Sequence, residues 1–211
     1  MTPDSAPRLR DHWWPRPGWR PGRVSVTWHV TFGGAESLHE LVAAYQRALA
    51  PLPGLRPVPI RWLHLTVQAL GYDDEGERAA AASTGAVVDA VAGLAPFEVT
   101  FGRPQLYGEA VAFEPRPAGP LQELRATIRA AIGADTLPTS SQQRDGFHPH
   151  VSIAYGGADV DAMPHVEVLA GVVAEPAVVA VTGVDLIRQT RVLAPEWVYR
   201  WTPVTTARLS G

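Results

Sequence analysis

Two short segments of this chain each set an imidazole and a hydroxyl two residues apart: His64-Leu65-Thr66-Val67 and His150-Val151-Ser152-Ile153. In a strand, residues i and i+2 lie on one face, ~6.6–7 Å apart along the chain. His64 and Thr66 then point the same way, as do His150 and Ser152, and the apolar residues between them take the core side. If the two segments face each other, one site holds two imidazoles and two hydroxyls. That set suits in-line phosphoryl transfer. A neutral imidazole takes a proton from the attacking oxygen and a protonated one returns a proton to the leaving oxygen, both forms being accessible near an unperturbed pKa of ~6.5. The hydroxyls donate hydrogen bonds to non-bridging phosphate oxygens and hold the phosphorus between the two rings.

Other chemistries are narrowed by what is missing. The chain has no cysteine, which excludes disulfides, cysteine–zinc sites and thiol nucleophiles. Every cationic side chain is arginine, so a lysine Schiff base, a lysine–AMP intermediate and a P-loop lysine are excluded too. A zinc site built from His64, His148 and His150 is a competing reading, but Pro149 denies that stretch a helical i, i+4 pair and no carboxylate is near either motif in sequence. The expectation is that no metal or cofactor is held.

Further candidates follow from position. Gln68 is in phase with His64 and Thr66, which makes it a candidate substrate contact. His29 shares the polar face of an early strand with Thr27 and Thr31 and divides between a cleft-lining role and a solvated surface. His148 reads as a cleft-edge residue or a partner behind His150, and Arg144, in the loop before the second motif, could meet a phosphate. Tyr155 could stack on a base, yet it falls on the apolar alternation and so favours core packing. His12, His39 and His165 receive no role.

Several elements must position these groups. RVSVTWHVTF (23–32) alternates as a strand, and 35–52 reads as an amphipathic helix. The first motif strand occupies about 61–70, a second helix 75–95, and a hairpin of strands 96–108 and 109–117 turns near Gly108. A third helix takes 120–132 with proline in its first turn, and a loop over 133–149 leads to the second motif. A weaker helix near 159–173 precedes strands at 178–193 and 196–204. Residues 1–22 form an arm rich in Pro, Arg and Trp, whose tryptophans Trp13, Trp14 and Trp19 are expected to pack it onto the body. Covering a ligand cleft is the less favoured role for it. The order suggests a duplicated α+β unit over 23–204, with 205–211 as a tail.

The 211 residues are 46% hydrophobic and 18% charged, enough for a buried core. A net charge of -3 argues against an extended nucleic-acid surface but not against a pocket for one phosphate. No apolar run has the length of a membrane span and the first residues lack a signal-peptide core; a cytoplasmic monomer is expected.

The paired motifs H-L-T-V and H-V-S-I, 86 positions apart, resemble the twin His-x-Thr/Ser-hydrophobic motifs of the 2H phosphoesterase superfamily, most closely its LigT-like, 2′-5′ RNA ligase and cyclic phosphodiesterase branch. The resemblance runs in order from RVSVTWHVTF through HLTVQALG and PHVSIAYG to the final strands. It implies an α+β bilobal fold of two antiparallel sheets flanked by helices, with pseudo-two-fold symmetry and a central cleft. It also implies metal-independent opening of 2′,3′-cyclic phosphates of nucleotides or short RNA ends, leaving a 2′-phosphate, with His64 and His150 as acid and base and Thr66 and Ser152 on the phosphate. Two departures stand out: Gln68 where many relatives carry a cation, and Tyr155 where some carry a basic residue. A non-catalytic module using the same cleft to bind a nucleotide or RNA end is the alternative.

Overall fold

A computed structural model describes residues 7–16, 18–137 and 146–211. In chain order the elements are β1 (Arg8–Leu9), β2 (Val24–Thr31), α1 (Glu36–Leu49), β3 (Leu55–Pro57), a 3-10 turn (Ile60–Trp62), β4 (His64–Tyr72), α2 (Asp73–Ala92), β5 (Phe97–Phe101), β6 (Gln105–Tyr107) and β7 (Ala110–Phe113). There follow α3 (Gly119–Ile132), β8 (Val151–Gly156), β9 (Val160–Asp161), α4 (Met163–Gly171), β10 (Ala177–Val181), β11 (Gly183–Val192) and β12 (Val198–Arg208). No helix among the described residues is long and apolar enough to cross a membrane.

The strands form two four-stranded antiparallel sheets, β12-β11-β2-β4 and β3-β8-β7-β6, with two smaller pairs, β1-β9 and β10-β5. Each large sheet carries one motif: β4 begins at His64, and β8 begins just after His150. The helices α2 and α3 pack against β4, and α1 packs against β8 and α4. Helix α1 buries Leu38, Leu41, Val42, Tyr45 and Leu49, the face that its apolar spacing dictates. On β2, Val26, Trp28 and Val30 enter the core, while Ser25, Thr27 and His29, on the other face, are buried as well. A strand buried on both faces whose second face is polar has that face turned to a cavity rather than to bulk solvent.

Several expected boundaries shift. The apolar run 178–193 is two strands in different sheets, interrupted at Thr182, because β10 pairs with β5 while β11 joins β2. The expected strand 96–108 likewise divides into β5 and β6, and the hairpin is β6–β7, turning at Gly108 and Glu109. The last strand continues to Arg208, and Leu209 is buried, so residues 205–208 belong to the sheet and not to a tail.

The described part of the arm packs tightly onto the body. Leu9 and Trp13 are buried, Arg10 N donates to Gly108 O, and His12 N donates to Gly156 O at 2.9 Å. A Cβ at Gly156 would run into the Arg10 carbonyl, so glycine there is what lets the two backbones meet. Gly156→Ala should lift the arm. The expected result is faster tryptic cleavage at the arm's arginines and a stability loss of up to about 3–6 kcal/mol, the burial of two large apolar side chains. Unchanged cleavage kinetics would show that the arm is held without this contact.

Candidate active site

Both motifs line one cavity of about 640 Å³, with His64 and Thr66 on one wall and His150 and Ser152 on the other. The same local device aims each imidazole. His64 Nδ1 lies 2.8 Å from Trp62 O, and His150 Nδ1 lies 2.9 Å from His148 O. A carbonyl only accepts, so in each ring the proton sits on Nδ1 and Nε2 is left for the cavity. His148 thus serves His150 through its backbone. On the other side of His64, the Gln189 amide approaches Nε2 at 3.5 Å and can donate to it.

Burial, partly opposed by the hydrogen bond to the Trp62 carbonyl, lowers the His64 pKa to about 4, and the His150 ring adds to the lowering. The free site therefore holds His64 as a neutral acceptor at neutral pH.

His29 is 0% exposed and forms the floor beneath His64, the two rings stacked 4.5 Å apart and 4° from parallel. Burial first, and the neighbouring His64 second, hold it well below the usual histidine range. Its Nε2 is 3.2 Å from Thr66 Oγ1, and its Nδ1 has no hydrogen-bond partner. Placing the proton on Nε2 avoids a buried, unpaired N–H. His29 then donates to Thr66, and the Thr66 hydroxyl hydrogen is left to point into the cavity. The cleft-lining reading of His29 is the one the structure supports, and solvation is excluded.

Two expectations based on strict alternation change, each because of a bulge. Between His29↔Thr66 and Trp28↔Gln68, Val67 is an extra residue on β4. Directly opposed residues of an antiparallel pair share a face, so Gln68 takes the side of the core residue Trp28 and loses phase with His64 and Thr66. It is 2% exposed, its Nε2 donates to Ala69 O at 2.8 Å, and its Oε1 accepts from Arg129 of α3 at 3.0 Å. It touches the cavity wall, but its amide is engaged in structure. On β8, Ile153 is the extra residue between Ala112↔Ser152 and Val111↔Ala154. That bulge brings Tyr155 round to the face of Ser152. Tyr155 lines the cavity and does not serve core packing alone.

Arg144 lies outside the described residues. Among those described, no three His, Cys, Asp or Glu side chains are grouped to hold a metal ion. Cations reach the cavity from places that the motifs do not signal. Arg125 of α3 lies over the Phe147 ring, 4.8 Å from its centroid, with Nε buried and unpartnered, and Arg16 of the arm pairs with Glu109. His12, Trp19, Tyr72, Tyr199 and Gln189 also line the wall. Nothing in the sequence pattern marks these residues, since the arm and α3 meet the cavity only through long-range packing.

Residues 35–193 match the model of the 2′-5′ RNA ligase superfamily. No curated protein matches the chain. Among solved structures, TT0787 of Thermus thermophilus is 20% identical, with a TM-score of 0.66 over 89% of this chain and 98% of that one. LigT of E. coli complexed with 3′-AMP is also 20% identical, with a TM-score of 0.62 over 90% of this chain and 99% of its own. A structure described as a phosphoesterase is 21% identical, with a TM-score of 0.61 over 89% and 99%. At these identities the structural likeness is one of fold.

Proposed function

Because the chain belongs to the 2′-5′ RNA ligase superfamily, whose membership supports a phosphoesterase-type function, we propose that it hydrolyses 2′,3′-cyclic phosphates of nucleotides or short RNA ends by a two-histidine mechanism that needs no metal. The observation that carries this reading is the matched holding of two imidazoles, each with Nδ1–H on the carbonyl two residues before it and Nε2 toward a shared cavity. The LigT structure with 3′-AMP, a ribonucleoside monophosphate, accords with a nucleotide-sized ligand.

In the proposed reaction His64 Nε2 takes a proton from water as its oxygen attacks phosphorus. The bond from phosphorus to O3′ breaks, and protonated His150 gives its Nε2 proton to that oxygen, leaving a 2′-phosphate. Burial favours His64 for the base role because it keeps that ring neutral. Thr66 and Ser152 donate to the non-bridging oxygens, and Arg125 adds positive charge where Gln68 supplies none. With a 5′-hydroxyl in place of water as the nucleophile, the same step opens the cyclic phosphate into a 2′-5′ linkage, the P–O3′ bond breaking and O3′ leaving as a hydroxyl. The test is turnover of 2′,3′-cyclic nucleotides in excess EDTA: a 2′-phosphate product formed at the metal-free rate is expected. Activity that chelator removes and metal restores would overturn the mechanism, and phosphate-dependent binding without turnover would favour the non-catalytic alternative.

A further inference from the structure

We propose that the N-terminal arm builds a subsite for an aromatic base beside the phosphate-binding hydroxyls, so that the cavity selects cyclic nucleotides over base-free cyclic phosphates. This rests on the function proposed above and adds to it a determinant that lies before the residues matching the family.

The arm is fastened to both sheets. On the β8 side, β1 pairs with β9, His12 N donates to Gly156 O, and Trp14 Nε1 donates to Glu109 Oε1 at 3.0 Å. On the β4 side, Arg191 of β11 donates to the His12 and Trp14 carbonyls at 3.1 and 3.2 Å, and Arg20 and Arg23 bind Asp73 at the start of α2. A proline-rich segment loses less entropy on such fixing than an ordinary chain. Strapped in this way, the arm lays Trp19 against Tyr72 and Tyr199, with ring centroids 5.4 and 5.8 Å apart. His12 stacks on Tyr155 at 4.3 Å and hydrogen-bonds the Tyr199 hydroxyl at 2.9 Å. All five rings line the cavity that holds the motifs.

The spacing fits one nucleotide. Thr66 pairs with His29 and Tyr72 pairs with Ser25, four residues further along β2, a backbone separation of ~13 Å. With phosphate at Thr66 and Ser152, a ribose crosses toward Tyr155, and a base reaches Trp19 and Tyr72. The cavity is about 640 Å³, far more than a cyclic phosphate alone requires and within the range of pockets for drug-sized ligands. Aromatic faces accept any base by stacking, and the Arg16–Glu109 pair on the same wall offers polar atoms to a base edge.

The experiment compares kcat/KM for adenosine 2′,3′-cyclic phosphate and ribose 2,3-cyclic phosphate in the full chain and in Trp19→Ala and Trp19→Phe. Binding of adenosine 2′-monophosphate and ribose 2-phosphate is measured by calorimetry in parallel. The wild type should prefer the adenosine compounds, Trp19→Ala should reduce that preference ~10-fold, and Trp19→Phe should keep most of it. A wild type indifferent to the base, an Ala variant that weakens both ligands of a pair equally, or a Phe variant no better than Ala would each overturn the subsite. Absence of turnover on both substrates would instead count against the proposed function, and the calorimetric preference would still read the subsite.

Discussion

His64→Ala and His150→Ala should each lower kcat for a 2′,3′-cyclic nucleotide by ~10²–10⁴-fold, the usual worth of one general acid or base, while both variants stay folded. His64 is only half-buried and His150 is exposed at the cavity wall, so neither truncation opens a large hole in the core. The two losses should differ in their pH signature. With His64 as base and its pKa held down to about 4, the acid limb of kcat/KM for the wild type lies below the ordinary imidazole range, so activity persists through pH 5–6. His64→Ala removes that acid limb, whereas His150→Ala removes the alkaline limb and keeps the acid one. Rates within threefold of wild type in either variant would refute the two-histidine mechanism. An alkaline limb lost with His64 would reverse the two roles.

Stability should fall steeply as the solution is acidified below neutrality, before most carboxylates titrate. Burial lowers His12 to about 4, with Arg16 adding to the lowering and Glu109 opposing it, and burial likewise lowers His64 to about 4; His29 is held well below its ordinary value. Between the folded pKa and the unfolded value near 6.5, the unfolded chain binds more protons than the native one. Native stability is therefore complete above about pH 6.5 and is lost as pH falls toward 4. A depression of about two units, as at His12 and His64, is worth ~3 kcal/mol per histidine at most, and His29 acts in the same direction, against a total that for an ordinary domain is only about 5–15 kcal/mol. The check is the urea midpoint measured from pH 7.5 to 4.5. A midpoint flat over that range would show that these rings are not buried neutral in solution, and His29→Phe should flatten the curve in part. Because phosphate would favour imidazolium, a bound nucleotide should shift the loss to lower pH.

Much of the fold was legible because helices and strands are local patterns. The expected helices at 35–52, 75–95 and 120–132 correspond to α1, α2 and α3 within a few residues, since the apolar stripe and the proline at the start of α3 are written in the chain itself. The short strands β3 and β9 were not legible: two or three residues carry no period, and β3 contains Pro57. The division of 178–193 was hidden because both halves alternate and only their partners, β5 and β2, separate them.

The site divides along the same line. By itself the sequence determined which chemical groups exist and which pairs share a strand face: His64 with Thr66, His150 with Ser152, and no thiol or amine nucleophile to compete with them. Tertiary structure decided what stands beside those pairs. A bulge is a mismatch between two strands, so neither strand announces it, and two bulges turned Gln68 toward α3 and Tyr155 into the cavity. Arg125, Gln189 and the arm's His12, Arg16 and Trp19 reached the same wall from distant parts of the chain. Periodicity reports the face a side chain takes within its own element. Only the packing of elements against one another reports what that face meets.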